Sequence, residues 1–134
     1  MKPHIEEAYR ALVLADRDIT AFEILKKSKD AHIAIIGFHA QQAIEKSLKA
    51  VLFAHQIEFD RSHDLVKLAG LLRNHQIQIP VEDKKLRQLN PFAVMLRYDD
   101  VEITPQITPA TTSQLVNQLR RWAEEQVKAT EQNR

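Results

Sequence analysis

The stretch Phe38-His39-Ala40-Gln41-Gln42-Ala43-Ile44-Glu45-Lys46-Ser47-Leu48-Lys49-Ala50-Val51-Leu52 constrains the fold more than any other part of the chain. It consists of strong helix formers with no Pro, so it reads as a helix. Its apolar or small residues recur at helical spacing: Ile33, Ile36, Ala40, Ala43, Ile44, Ser47, Leu48 and Val51. Beside them His39, Gln42, Lys46 and Lys49, spaced three, four and three apart, share one face. A third row, Phe38, Gln41, Glu45, Leu48 and Leu52, sets an amide and a carboxylate among large apolar side chains. A helix that carries polar groups into its buried side supports a structural network or lines a site. The other helices must pack around it.

At 134 residues the chain is expected to form one domain, 1–134. Nineteen basic residues against eighteen acidic ones leave a formal net charge of +1, which demands neither nucleic acid nor an anionic membrane as partner. With no Cys there is no disulfide framework and no thiolate metal site. The N-terminus lacks the apolar core of a signal peptide, and no apolar run is long enough to span a bilayer. A cytoplasmic location with no membrane contact is the expectation. Two Gly, in neither GxGxxG nor GxxxxGK[ST], argue against a phosphate-binding loop.

The remaining helices follow from periodicity. Ile5 to Lys27 is predicted as a first helix, with Ala8, Leu12, Ala15, Ile19 and Phe22 inward. Glu6, Glu7, Arg10, Arg17 and Asp18 fall mostly on its outer side. Asp30 is the expected N-cap of the long helix, Ala31 to about His55. Gly37 inside that helix costs about 1 kcal/mol against Ala, which points to close approach by another helix. A third helix opens at His63-Asp64-Leu65, capped by Ser62 or Asp64, with Leu65, Leu68, Ala69, Leu71 and Leu72 inward. Val81 to Leu96 reads as a fourth, bent or divided at Pro91. Val101 to Pro109 is expected as a loop. Ala110 to Glu131 is the last helix, with Leu115, Leu119, Trp122 and Val127 inward. The whole reads as all-α, an up-and-down bundle of four or five helices.

Six His are scattered with no HExxH and no ExxH pair, so no metal and no other cofactor is expected. Ser47, Ser62 and Ser113 lie in no nucleophile-elbow setting. The stripe His39, Gln42, Lys46, Lys49 is more informative. Two lysines a turn apart attract a phosphate, and an imidazole and an amide hydrogen-bond a base or sugar. The plain alternative is a solvated polar face with snorkelling lysines. Glu45, flanked by apolar residues, needs a partner if buried. Arg97, at the end of an apolar helix, is the expected one.

Three blocks resemble the HEPN domain family. His39-Ala40-Gln41-Gln42-Ala43-Ile44-Glu45-Lys46-Ser47-Leu48-Lys49-Ala50 is similar to its QQAxEKxLKA signature. His63-Asp64-Leu65 is similar to its HDL. Leu89-Asn90-Pro91-Phe92-Ala93-Val94-Met95-Leu96-Arg97-Tyr98 resembles its L-x-x-Y-x-x-x-R-Y-P-D stretch. The blocks stand in family order between residues 38 and 100. The resemblance implies a helical bundle, often a homodimer, commonly encoded beside a minimal (MNT-type) nucleotidyltransferase in what look like toxin–antitoxin modules. It implies no metal. Many members are ribonucleases that use an Arg, four to six residues, then a His; others bind nucleotides or act as accessory proteins.

The chain departs from the ribonuclease pattern. Glu102, Ile103 and Thr104 stand where the His belongs after Arg97, and no other Arg has a His at that distance. Asp99 stands where the family more often has Pro. The first reading is therefore a HEPN-like protein that is not an enzyme. It binds nucleotide or RNA phosphate through His39, Gln42, Lys46, Lys49, Arg97 and Tyr98, and pairs with an MNT-type nucleotidyltransferase. The second is a metal-independent ribonuclease toxin with a rearranged site, Arg97 holding phosphate and His39 or His63 moving the proton. By analogy with the family, Tyr98 is also a candidate for adenylylation by the partner. The third is a structural dimerisation module held by a Glu45–Arg97 pair.

Overall fold

The computed structural model describes residues 1–97 and 108–133, and at 94–97 the backbone only. Five α-helices follow in order: α1 (Pro3–Lys26), α2 (Ile33–Ala54), α3 (Leu65–Asn74), α4 (Asp83–Leu89) and α5 (Pro109–Gln132). A 3₁₀ helix, Asn90–Arg97, continues α4. No strand occurs among the described residues, so the expected all-α bundle is the fold observed.

The long helix is the centre, as its three rows require. Ile44, Leu48, Val51 and Leu52 are fully buried, each contributing about 1.5–3 kcal/mol relative to exposure. α1 and α5 run antiparallel, and their cross-links show the register. The Tyr9 hydroxyl donates to Glu131 at 3.0 Å, Arg120 clamps Asp16 at 2.8 and 3.0 Å, and Ser113 donates to Glu23 at 2.9 Å. Asp18, expected outward, is buried at 8 % exposure. It falls in the row Ala11, Ala15, Asp18, Phe22, all buried, and therefore points at α2.

Helix ends refine the expected boundaries. α2 begins two residues later than predicted, so Asp30 lies outside it. The cap is His32, whose Nδ1 accepts the Ala34 N–H at 3.0 Å. Of the two expected caps for α3, Asp64 is the one used, accepting from Val66 and Lys67. α4 starts at Asp83 rather than Val81 and stops at Leu89. Pro91 has no N–H to donate to the Arg87 carbonyl, so the α-pattern gives way to 3₁₀ geometry there. Pro109, expected in a loop, instead opens α5 at a position where its missing N–H costs nothing, with Thr108 as the cap. The expected loop at 101–107 lies outside the described residues.

α2 and α3 end in the same way, at His55-Gln56-Ile57 and His75-Gln76-Ile77. In each the Gln takes a positive φ, 56° and 61°. The Ile N–H reaches back to Leu52 or Leu72, and the Gln N–H to Phe53 or Arg73. This doubled bond satisfies the last carbonyls, and the buried Ile closes the end. A side chain at this φ is strained, so Gln56→Gly and Gln76→Gly are each expected to stabilise by about 0.5–1 kcal/mol in denaturant titration.

The glycine inside α2 has the expected cause. A methyl group at Gly37 would overlap the ring of Phe92, which is 1 % exposed on the 3₁₀ helix. That close approach seats the 3₁₀ helix on the face of α2 that also carries Gln41 and Glu45, four and eight residues further on.

Candidate functional site

Two buried carboxylates organise the polar side of α2. Glu45 sits on α2 itself, with only 4 % of its side chain exposed. Its Oε1 accepts from Gln41 Nε2 at 3.2 Å, Gln42 Nε2 at 3.4 Å and His63 Nδ1 at 2.9 Å. Its Oε2 takes the Lys49 ammonium at 3.0 Å. Gln41 also donates to the His63 carbonyl at 2.9 Å and accepts from Gln42 at 2.7 Å. The carboxylate is thus saturated by donors from α2 and from the turn before α3, which meets the requirement for a buried charge.

Asp18 reaches in from α1. Its Oδ1 faces His39 Nδ1 at 3.0 Å, and its Oδ2 takes Lys46 Nζ at 2.5 Å. His39 and Lys46 are seven residues apart, two turns of the same strip. Gln42 and Lys49 lie on the next strip round, and Glu45 beyond them. The two clusters therefore form one continuous polar band on α2, between α1 and the start of α3.

The chemistry of the band follows from its pairings. An imidazole that donates Nδ1–H to a carboxylate keeps its basic lone pair on Nε2. Both His39 and His63 are held in this way. His63 is the more open, at 48 % side-chain exposure against 27 %. Each carboxylate carries one lysine and one imidazole, so each cluster is neutral when its His is neutral. The lysines are not free cations, as a solvated stripe would have left them. Lys49 also lies 5.7 Å from the centroid of Phe59, which packs edge-on against Phe53.

Asn90 ties the 3₁₀ helix to this site. Its Oδ1 accepts from the Leu65 N–H at 2.8 Å, and its Nδ2 donates to Asp64 at 2.9 Å, next to His63. Ser62 Oγ accepts from the Asp64 N–H at 3.1 Å, the local turn bond its position suggests. Arg97 closes the 3₁₀ helix, but its side chain and the whole of Tyr98 lie outside the described residues. The expected Glu45–Arg97 pair lies outside them too. Among the described residues no three His, Asp or Glu side chains group to hold a metal ion. No helix among them is long and apolar enough to cross a membrane.

Of the expected site residues, the fold gathers His39, Gln42, Lys46, Lys49 and His63 around the two carboxylates. Sequence reasoning missed Asp18. The signal was present, since an acidic residue in an apolar helical row is a buried group in need of partners. It also missed His63 as the partner of Glu45, a pairing across 18 positions with no local signature.

A family model described as HEPN domain matches residues 9–132, nearly the whole chain. The chain belongs to the HEPN domain family. The match runs from Tyr9 on α1 to Gln132 at the end of α5, so the HEPN assignment covers every helix that builds the polar band. No curated protein and no solved structure matches this HEPN domain significantly.

Proposed function

We propose that this HEPN domain binds the phosphates of RNA or of a nucleotide along the polar band of α2, and that it does not depend on catalysis. The observation that carries the reading is the pairing of His39 and Lys46 on Asp18, and of His63, Gln42 and Lys49 on Glu45. The buried carboxylates hold these donors in fixed directions. Each ammonium keeps N–H groups beyond the one its carboxylate takes. Arg97 and Tyr98 complete the proposed set. A role in a toxin–antitoxin module, pairing with an MNT-type nucleotidyltransferase and homodimer formation are part of the same proposal and rest on family membership.

Titration with ATP, GTP and a short single-stranded RNA tests the binding. Lys46→Ala with Lys49→Ala is expected to weaken RNA binding through the loss of two directed donors, with a fall in salt dependence well short of two full contacts, because each ammonium is already paired with a carboxylate. No binding by the wild type at millimolar ligand would remove the reading.

One observation favours a second reading. The Glu45–His63 pair has the geometry of a carboxylate that orients a general base. Under that reading the same RNA is cut in the presence of EDTA, and His63→Ala abolishes the cutting. Intact RNA leaves the binding role standing.

A further inference from the structure

The fold places one carboxylate where a phosphate-binding strip is least expected to have it. Asp18 comes from a different helix, and only 11 % of its side chain is exposed. Lys46 and His39 above it are 29 % and 27 % exposed. An anion approaching the strip meets these two donors with a negative charge directly behind them. Both Asp18 oxygens are engaged, one on each donor, so Lys46 reaches the surface already neutralised.

From this arrangement we infer that Asp18 is the positioning residue that limits how tightly the strip holds phosphate: it fixes the direction of Lys46 and His39 while cancelling the charge that would attract the ligand. The inference rests on the phosphate-binding reading and names the residue that regulates it. An isolated phosphate gains little from a neutralised ammonium. A polyanion such as RNA still gains from several aligned donors, so Asp18 biases the strip toward polynucleotides and away from free phosphate.

The test is Asp18→Asn, which keeps the shape and one acceptor oxygen while removing the charge. Its affinity for a short single-stranded RNA is expected to rise roughly tenfold, the effect of one unit charge a few ångströms away at a partly solvated site. The salt dependence should steepen by about 0.7 in log–log slope, one more effective phosphate contact. A purely structural role for Asp18 would not steepen it. Inorganic phosphate should compete with the RNA on the variant and barely at all on the wild type. Glu7→Gln, eleven residues and about 16 Å away along α1, controls for net charge. If Asp18→Asn does not fold, Asp18→Ser removes the same charge with a smaller side chain and is read in the same way. Wild-type binding with unchanged or weaker binding in a folded Asp18 variant overturns this inference alone. So does an equal gain in Glu7→Gln. No RNA binding by the wild type or any variant overturns the phosphate-binding reading beneath it as well.

Discussion

Glu45→Ala is expected to cost about 3–5 kcal/mol of folding stability, the usual range when one member of a buried charged network is removed. Glu45 as a residue is 3 % exposed, and its carboxylate receives four side-chain donors. Truncation leaves the Gln41 amide, the His63 Nδ1–H and the Lys49 ammonium facing a cavity with no acceptor. The cost is concentrated at Gln41, which stays buried with one bond unmade, and at the partly buried Gln42 and Lys49, while the exposed His63 can turn to water. Against a total of about 5–15 kcal/mol for a domain, the variant should unfold at much lower denaturant. Glu45→Gln keeps an acceptor oxygen and should lose less than half as much. Urea titration followed by circular dichroism measures both. A Glu45→Ala midpoint close to wild type would mean that the network contributes nothing to stability and that its geometry is maintained for ligand alone.

Substituting Gly37 should be nearly as damaging, for a reason of shape rather than charge. Elsewhere in a helix, Gly→Ala gains about 1 kcal/mol from propensity. Here the added methyl overlaps the ring of a wholly buried phenylalanine. Phe92 is 1 % exposed, so either its ring or the 3₁₀ helix that carries it must shift against α2. Overpacking of this kind typically costs about 1–3 kcal/mol, enough to reverse the propensity gain. Gly37→Val, with two further methyls, should fall at or beyond the upper end. The pair should also be coupled. Phe92→Leu, which shrinks the obstacle, is expected to recover part of the loss in the double variant, a departure from additivity read by a thermodynamic cycle. Stabilisation by Gly37→Ala would show that the contact is looser than the ring position implies. Because the same helix ends in Arg97, displacing it should weaken RNA binding along with stability under the proposed function.

The row that carries both effects was legible early. Gly37, Gln41 and Glu45 stand four apart; the glycine by itself pointed to close approach by another helix, and Gln41 and Glu45, set among apolar residues, pointed to a polar network or a site, while their common face with Gly37 is seen in the fold. Local rules also worked at Asp64 and at Pro91, where the relevant atoms lie within one helical turn. They failed at Asp30, because the helix begins two residues further on, where the His32 imidazole accepts the Ala34 N–H. They failed at Pro109, where the chain could take either a loop or a first helical turn, and the backbone beyond it decided.

The chain by itself determined the helices, the central place of the long one, the HEPN kinship, and the group of His39, Gln42, Lys46 and Lys49 on one surface. Period and composition are local properties, and side chains within three turns of one helix have their relative directions fixed by its pitch. Tertiary structure alone decided that these four donors divide between two carboxylates. Asp18 reaches Lys46 across 28 positions and His63 reaches Glu45 across 18, and distances of that kind are set by how helices pack, which no spacing within a helix encodes.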